Sequence, residues 1–409
     1  MEEYRDARDL FGTLLNLSEP WEVESVLTEG ETEIHVRVRV PFLSMVPCPV
    51  CGKVCAVHDR LNDRIWRDAD ILGRTTFVHA RVPRSDCPEH GVRQIEVPWA
   101  RENSRFTLLM ERMILSMVAE TSVKTTADKL GLTDKRVFRV VDAKAGSIIE
   151  HLDLSGLKRV GLDDKSFNGY DYMTVFADID TGKVIYICRG RGTDTLKEFR
   201  AFLTEHGGNP KNITDFSCDF SSAYISGIRK HFKKAAVTCD RFHLVKLANE
   251  AMTKTNYGEV KLAVNRMKLK YILSKNDRNA SDEEKEVRDK VCRDNEIIGI
   301  SYRLKESLVS VYGMGDAKTA VAHLKGWIRW ARESGLPRFA TLAGTVEKHI
   351  AHIVRWFKSE ISNAVMEGIN SKISLIKNRA RGYRNCDNLI SMCYVVSDRR
   401  RTDLYGRCL

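Results

Sequence analysis

Two short cysteine motifs restrict the fold of this chain more than any other feature of its sequence. CPVCG begins at Cys48 and CPEHG begins at Cys87, so both follow the pattern Cys-Pro-x-(Cys or His)-Gly. In such a motif the two ligands converge on one metal ion, and the glycine permits the positive φ that the turn needs. The sequence therefore predicts a closed tetrahedral Cys₃His zinc site of the structural type, with the ligands Cys48, Cys51, Cys87 and His90.

The residues between the two motifs indicate what the zinc ion holds together. RIWRDAD (64–70) and RTTFVHARVPR (74–84) have strand patterns, so we expect a small β-ribbon stapled by the metal. A second ligand set has equally suitable spacing and stays open at this point: Cys48, Cys51, Cys55 and His58. The chain has 11 cysteines and no recognisable export signal, which predicts a reducing compartment such as the cytoplasm and metal-bound or buried thiols in place of disulfides.

Composition narrows the class of partner. At 409 residues the chain is too long for one core and predicts several domains. It is 43% hydrophobic and 30% charged, as expected of a globular protein, and no apolar run approaches the roughly 18 residues of a membrane span. The net charge of +11 and the pI near 9.1 predict a polyanionic partner, most simply nucleic acid.

A basic helical hairpin follows the predicted ribbon. FTLLMERMILSMVAE (106–120) and TTADKLGLTDKRVFRVVDAKA (125–145) have helical periodicity. In the second stretch, Ala127, Gly131 and Val137 have the spacing of the small residue, turn glycine and buried aliphatic of a helix-turn-helix. The last helix, with Thr133 as its N-cap, is expected to present basic side chains to solvent and to DNA: Lys135, Arg136 and Arg139. The alternative is an ordinary helical hairpin with a solvated basic face.

From residue 157 the sequence changes to strands. LKRVGLDD (157–164), DYMTVFADI (171–179) and KVIYICRG (183–190) predict three antiparallel strands, and alternating helices and strands follow as far as a helix that begins at Arg241. The order βββαβαβα is typical of a mixed sheet of the ribonuclease-H-like type. In that arrangement the first and fourth strands are neighbours, which brings Asp163 close to Asp219.

Paired carboxylates at this position suggest a metal centre. Two such groups in a partly buried site repel one another unless a divalent cation offsets their charge, and oxygen ligands favour Mg²⁺ or Mn²⁺. Two ions of this kind are used in phosphodiester chemistry. Strand alternation assigns Asp163 to the metal, because Asp164 shares the face of Leu162 and is expected to cap a turn before Ser166. Participation of Asp164 as a supporting group remains open, and the simplest alternative is that GLDDKSF is only a turn.

A third carboxylate comes from a late helix, SNAVMEGINSKISLIKNRARGYRN (362–385). Its predicted apolar stripe consists of Ile361, Val365, Ile369, Ile373 and Ile376. Glu367 lies off this stripe, on one face with Asn363 and Asn370. The polar face then continues with cations, as expected of a site that meets phosphate: Lys372, Lys377, Arg379, Arg381 and Arg384.

Four segments carry a resemblance to a known family. GLDDKSF, CDFSSAY, DRFHLVKL and NAVMEGINSKISLIKNRARGYRN resemble the signature segments of bacterial insertion-sequence transposases with a DDE catalytic triad, and are most similar to the ISL3 family. The resemblance implies that Asp163, Asp219 and Glu367 are the three catalytic acids. It also marks Asp240 and His243 as part of a signature without giving them a role. Asp240 is therefore either a helix cap or, with His243, an active-site helper.

The expected protein is a multidomain α/β transposase in which an α-helical insertion interrupts the ribonuclease-H-like catalytic domain. We expect a zinc ribbon at 1–100, a helix-turn-helix at 101–152, the catalytic domain at 153–250 and 346–409, and the insertion at 251–345. The resemblance implies that such a protein binds the terminal inverted repeats of its element and uses two Mg²⁺ or Mn²⁺ ions to cleave DNA and transfer the strand to target DNA. We expect it to act as a dimer or larger homo-oligomer on double-stranded DNA, associated with the nucleoid and not with a membrane.

Two other functions remain possible on the sequence. A sequence-specific DNA-binding regulator on an inactive transposase scaffold would lack one of the acids, and all three are present here. A structure-selective nuclease of the same fold would lack an end-binding domain, which this chain is predicted to have. Two tryptophans of the insertion, Trp327 and Trp330, are expected to be core residues.

Overall fold

The computed structural model describes residues 6–169, 171–256, 266–275, 280–361 and 364–398. Two compact units follow one another along the chain, and the first ends at Lys144 while the second begins at Ala145. This boundary falls inside a helix. No helix among the described residues is both long and apolar enough to cross a membrane.

The first unit begins with a helix and a four-stranded sheet. These elements are α1 (Ala7–Leu14), β1 (Glu22–Glu29), β2 (Glu33–Arg39), β6 (Arg64–Arg67) and β7 (Thr75–Ala80), and the sheet order is β1-β2-β7-β6. Apolar residues alternate along β2 and β7, and their buried face packs around Trp66, which is fully buried. The strand pattern after residue 64 is therefore confirmed, but β6 and β7 belong to a different sheet from the strands that flank the cysteine motifs. These strands complete a sheet with the N-terminal strands, because β7 pairs in parallel with β2.

The two cysteine motifs lie in two smaller sheets. One is the pair β3 (Val46–Pro47) and β4 (Val54–Cys55). The other has the order β5-β8-β9 and is formed by β5 (Val57–Arg60), β8 (Pro83–Cys87) and β9 (Gly91–Gln94). Each motif thus turns the chain between two strands. The glycines that end the motifs, Gly52 and Gly91, both have positive φ, as the turns require.

Three helices follow the sheets: α2 (Leu108–Glu120), α3 (Val123–Lys129) and α4 (Asp134–Glu150), the last of which continues from the first unit into the second. Ala127 and Val137 are fully buried where α3 and α4 meet the core. Gly131 has a φ of 62°, which ends α3 in the left-handed region that a residue with a side chain rarely adopts. The helix-turn-helix spacing read from the sequence therefore corresponds to the small contact, the turn and the buried aliphatic.

The second unit contains a five-stranded mixed sheet. Its strands are β10 (Arg159–Asn168), β11 (Asp171–Asp178), β12 (Lys183–Arg189), β13 (Asp215–Cys218) and β14 (Ala236–Cys239), in the order β12-β11-β10-β13-β14. The first three strands are antiparallel, whereas β10, β13 and β14 are parallel. The connecting helices are α5 (Thr193–Glu205), α6 (Ser222–His231) and α7 (Arg241–Asn256).

Both faces of this sheet are covered. On one face Val160 and Leu162 pack with α5 and α6 around Phe199. The other face receives α14 (Ala364–Arg379), and α15 (Cys386–Ser397) lies beside β12. A Cβ atom on Gly161 would lie 2.9 Å from Cγ of Met366, so the absence of a side chain at this position lets α14 lie against β10.

A helical subdomain, formed by the described residues 241–256, 266–275 and 280–359, has a core of its own. Besides α7 it contains α8 (Arg266–Ser274), α9 (Asp282–Asp294), α10 (Glu296–Val309), α11 (Ala317–Glu333), α12 (Pro337–Val354) and α13 (Trp356–Ser359). Trp327 is buried there, and its indole N–H donates to the carbonyl of Leu304 at 2.8 Å. Trp330 is 37% exposed, so the prediction that both tryptophans are core residues is wrong for Trp330.

Candidate active site and metal centres

Three aspartates lie at the same edge of the mixed sheet. Asp163 is in β10, Asp219 follows β13 directly, and Asp240 follows β14 directly. The parallel register places Gly161 opposite Ser217 and Cys218 opposite Cys239. Continuing that register, Asp163 is level with Asp219, and Asp219 is level with Asp240. The carboxyl ends of parallel strands meet at one sheet edge, so the fold itself gathers three carboxylates.

Asp163 is held in place by two hydrogen bonds. Its side chain is buried, and Oδ2 accepts a hydrogen bond from the Asn370 amide of α14 at 2.5 Å, while Oδ1 accepts one from the backbone N–H of Asp164 at 2.9 Å. Gly161 and Asp163 share the face that α14 covers. The strand alternation expected from the sequence therefore places Asp163 against the helix that carries Glu367.

The surroundings of Asp219 raise the pKa of its carboxyl group. Burial raises the pKa of Asp219, and the charges of Asp163 and Asp240 raise it further. A hydrogen bond from the backbone N–H of Ser221 and the nearby imidazole of His243 oppose that rise. Carboxylates that repel one another in a partly buried site fit a divalent cation, whose charge would offset theirs.

His243 lies at the same edge and is hydrogen-bonded to Asp240. Its Nδ1 donates to Oδ2 of the buried Asp240 at 2.8 Å. Burial lowers the pKa of His243, but this hydrogen bond and the charges of Asp163 and Asp219 outweigh burial, so the net effect raises that pKa. Asp240 also occupies the position before α7, where Oδ1 accepts from the backbone N–H of Phe242 at 2.9 Å. Asp240 therefore caps α7 and also holds the ring of His243, while its role as an active-site helper stays a prediction.

Asp164 does not cap a turn, so that prediction is wrong. β10 continues through Asp164, which pairs with Thr174 of β11, and the strand ends only at Asn168. Burial raises the pKa of Asp164, and the charges of Asp163 and Asp219 add to that rise. Asp164 lies on the other face of β10 from Asp163 but close enough to influence the same site.

Glu367 lies on α14, one helical turn before Asn370, and is exposed. Among the described residues, the carboxylates of Asp163, Asp219 and Glu367 do not all come within 4.8 Å of one another. Asn363, predicted to share the face of Glu367, lies outside the described residues. Asp163, Asp219, Asp240, His243 and Asn370 lie along one stretch of the sheet, whereas Glu367 lies at the exposed start of the helix. Among the described residues, no three of the groups of Asp163, Asp219, Asp240 and His243 come within 4.8 Å of one another. The sequence predicted that Asn370 lies on the polar face of the helix with Glu367. It did not predict the direct hydrogen bond between Asn370 and Asp163.

The cations that follow Glu367 are not equivalent. Lys372, Arg381 and Arg384 are exposed. The ammonium group of Lys377 donates to the carbonyl of Ser166 in β10 at 2.8 Å, which ties α14 to the sheet. Arg379 is half-buried. The buried stripe of α14 contains Met366 in place of the predicted Val365, which is only half-buried.

The predicted zinc ligands converge on one point. Sγ of Cys51 lies 3.8 Å from Sγ of Cys87, and Nδ1 of His90 lies 3.9 Å from Sγ of Cys48 and 3.6 Å from Sγ of Cys87. A tetrahedral zinc site with Zn–S bonds of about 2.3 Å has edges of about 3.8 Å, so the four donors fit zinc. Burial raises the pKa of the Cys87 thiol, but backbone N–H donors from Glu89 and His90 outweigh it and lower that pKa to about 7.

The alternative ligand set is not assembled. Sγ of Cys55 is directed to the carbonyl of Lys53 at 3.2 Å, in a small buried cluster with Cys48 and Cys87. His58 is exposed, and its Nδ1 lies 3.8 Å from a carboxylate oxygen of Asp86. Neither residue joins the group of donors around Cys51.

The basic residues at the start of α4 differ in exposure. Lys135 and Arg139 are exposed. The guanidinium of Arg136 lies 4.8 Å from the ring centroid of Phe106, and burial, followed by the charges of Arg67 and Arg139, lowers its pKa. The expectation that all three residues face solvent is therefore wrong for Arg136, because its planar guanidinium packs on an aromatic ring.

Family models match three parts of the chain. Residues 160–393, more than half of the chain, match the ISL3 DDE model described as "Transposase". This chain belongs to the ISL3 family of transposases. Residues 95–143 match the helix-turn-helix domain of transposase family ISL3, and residues 45–90 match the zinc-finger of transposases IS204, IS1001, IS1096 and IS1165.

Curated relatives are similar to this transposase over most of their length. A transposase for insertion sequence element IS1557 from Mycobacterium tuberculosis is 25% identical over 434 aligned positions, covering 97% of each chain. A transposase for insertion sequence element IS1001 from Bordetella parapertussis is 24% identical, covering 84% of this chain and 87% of the relative. The chain is accordingly a DDE-type transposase with a zinc ribbon and a DNA-binding helix-turn-helix.

The helix-turn-helix of the transposase gives a testable expectation. Replacing both Lys135 and Arg139 by Ala should weaken DNA binding and reduce the salt dependence of the binding constant, by about one unit of slope for each lost phosphate contact. Binding titrations at several salt concentrations measure both quantities. Lys144→Ala, which removes an exposed charge near the end of the same helix, is the control. An unchanged slope in the double variant would show that this end of α4 does not meet DNA.

Proposed function

We propose that this transposase binds the terminal inverted repeats of an insertion sequence, hydrolyses a phosphodiester bond at each end, and joins the freed 3′-hydroxyl to target DNA. The observation that carries this proposal is the position of Asp163 in β10, level with Asp219 at the end of the neighbouring parallel strand β13. The sheet order β12-β11-β10-β13-β14, with its antiparallel hairpins before the parallel strands, supports a ribonuclease-H-like catalytic domain.

Asp163, Asp219 and Glu367 would hold the catalytic cations. Their oxygen donors suit Mg²⁺ or Mn²⁺, and the repulsion that contributes to the raised pKa of Asp219 is of the kind that such ions relieve. When bound, two divalent ions supply an activated water or hydroxyl and stabilise the leaving oxygen of a phosphodiester. Glu367 would contribute from the exposed start of α14, which is anchored to β10 through Asn370.

Other residues of the site would position and balance these acids. Asn370 fixes the orientation of the Asp163 carboxylate by donating to Oδ2. Asp240 fixes the orientation of the His243 ring through Nδ1, and the carboxylates of Asp163 and Asp219 favour the protonated form of that ring by raising its pKa. Asp164 would alter the electrostatic potential at Asp163 and Asp219 through its charge, from the opposite face of β10. These are positioning roles, because none of the four residues needs to touch the scissile phosphate.

The remaining domains would bring DNA to this site. One structural Zn²⁺ held by Cys48, Cys51, Cys87 and His90 would stabilise the ribbon, and α4 of the helix-turn-helix would contact the terminal repeats through Lys135 and Arg139, with Arg136 packed on Phe106. Exposed Lys372, Arg381 and Arg384 would contact DNA near the acids, while Lys377 and Arg379 shape that surface. Residues 251–345 would form the helical insertion between the second and third acids.

We infer that the active assembly contains at least two copies of the chain. An element has two ends, and each chain carries one set of the three acids. Cleavage of both ends in one complex therefore calls for a dimer or a larger homo-oligomer on DNA.

Cleavage of labelled element ends tests the proposed function. With Mg²⁺ we expect nicking at the element boundary and joining of the 3′ end to a target duplex, and without a divalent ion we expect binding alone. A duplex of unrelated sequence is the control. Specific binding without cleavage under any divalent ion would favour the regulator on an inactive scaffold. Equal cleavage of the element ends and of the unrelated duplex would favour a structure-selective nuclease.

A further inference from the structure

A small cationic cavity lies between α6 and α12 in the second unit. It has a volume of about 200 Å³ and no carboxylate among its lining side chains, which are Ser222, Ile225, Ser226, Arg229, Lys348, His349 and His352. Within the part of the chain that the structure describes, no carboxylate forms an ion pair with Arg229 or Lys348. Positive charge and hydroxyl donors thus converge without an acidic partner, which predicts an anionic ligand.

The hydrogen bonds around Arg229 show how the cavity is built. Nδ1 of His352 donates to the carbonyl of Val237 at 3.2 Å, so in the neutral ring Nε2 is the acceptor. Nη2 of Arg229 donates to that Nε2 at 3.1 Å. This hydrogen bond to His352 orients the guanidinium of Arg229. Because the neutral imidazole carries no negative charge, it does not offset the positive charge of Arg229. The remaining N–H groups are suited to a phosphate or carboxylate oxygen.

His349 provides a second, independent observation. Its side chain is only 5% exposed, and Nδ1 has no hydrogen-bond partner. The ring packs edge-on against Phe220, with centroids 5.5 Å apart. His349 therefore adds an imidazole to the cavity wall but no negative charge that would compete with an anion for Arg229 and Lys348.

We propose that this cavity binds a backbone phosphate of the DNA strand that enters the active site, an assignment that rests on the proposed function. α6 begins immediately after the Asp219 loop, and Ser222 is its first residue. Arg229 lies about 10 Å further along the helix, at about 1.5 Å per residue. Successive phosphates of one strand rise about 3.4 Å. If the DNA strand runs along α6 from the Asp219 loop, the bound phosphate lies within about three nucleotides of the scissile bond.

The first experiment measures binding of inorganic phosphate to the full-length, DNA-free protein by calorimetry. The test variant carries Arg229→Gln and Lys348→Gln. The control variant carries Lys230→Gln and Arg338→Gln, which remove the same charge from exposed positions of the same two helices outside the cavity. We expect the affinity for phosphate to fall at least tenfold in the test variant only. Equal affinity in all three proteins would overturn the proposal, since the bound ion would then lie elsewhere. Lys348→Gln alone serves if the double variant melts early.

The second experiment identifies the source of the phosphate. Ethylation of single phosphates in labelled element ends should block assembly at one position within about three nucleotides of the cleavage site for the wild-type protein and the control variant, but not for the test variant. An unchanged interference pattern in the test variant would overturn the DNA assignment and leave a pocket for a small phosphorylated ligand. If no element-end pattern appears with any protein, the proposed function fails, and the phosphate titration still decides whether the cavity binds phosphate.

Discussion

Asp163→Asn should abolish strand cleavage and strand transfer while leaving DNA binding and the fold intact. The amide keeps the shape of the side chain but removes the charge that would balance the cations. We expect the loss to be at least the ~10²–10³-fold that follows removal of one preorganised charge-stabilising group. The measurement is the cleavage rate of labelled ends in Mg²⁺, with binding to the same ends titrated alongside. Asp219→Asn and Glu367→Gln should behave in the same way.

The adjacent acid is the matched control for this prediction. Asp164→Asn changes the same functional group one position further along β10, on the opposite face of the strand. It should keep substantial activity, because the side chain influences the site through its charge and not as a ligand. An inactive Asp164→Asn beside an active Asp163→Asn would shift the assignment by one residue. Full activity in both variants would rule out the metal site proposed here.

Cys87→Ser should release the zinc ion and unfold the zinc ribbon. Structural zinc sites contribute about 10–16 kcal/mol at pH 7, and their binding is coupled to folding, so the loss of one thiolate is not a local change. Cys87 is buried among the other donors and ends β8, which pairs with both β5 and β9. Zinc content by elemental analysis and a thermal melt of the purified variant measure the two effects.

Cys55→Ser controls for the chemistry of the substitution. Cys55 is a buried thiol in contact with the same cluster, but its sulfur is directed to a backbone carbonyl. This variant should keep one full equivalent of zinc. Full zinc retention in Cys87→Ser, together with zinc loss in Cys55→Ser, would favour the local ligand set with His58.

The sequence allowed the order of elements around the acids to be predicted because each strand there pairs with a partner that periodicity and turn residues identify. The positions at which strands continue or end were harder to predict. Two adjacent aspartates resemble a turn, since Asp bonds nearby backbone amides, and only the pairing of Asp164 with Thr174 shows that β10 continues. The place of β6 and β7 was missed for a related reason. Their sheet depends on the parallel pairing of β7 with β2, and no local pattern records a partner so distant in sequence.

Side-chain partners were predicted least well. A basic residue on an amphipathic helix is expected in water, yet Arg136 covers an aromatic ring from a loop that precedes α2. The sequence places Glu367 and Asn370 on one helix face. Which of the two side chains contacts Asp163 depends on how closely α14 approaches β10 at Gly161. Such distances follow from packing between elements, which a single sequence does not contain.

The insertion of β6 and β7 between the two cysteine motifs affects how the chain can fold during synthesis. One zinc ion bound by Cys51 and Cys87 would close a loop that contains half of the N-terminal sheet. The sheet cannot be completed before Ala80 has left the ribosome, and the zinc site cannot form before His90 has left it. Both therefore require nearly the same length of synthesised chain. Closing the loop with metal would lower the entropic cost of bringing β7 to β2. Zinc supply during translation would then limit how fast the whole N-terminal unit forms, and not only the ribbon.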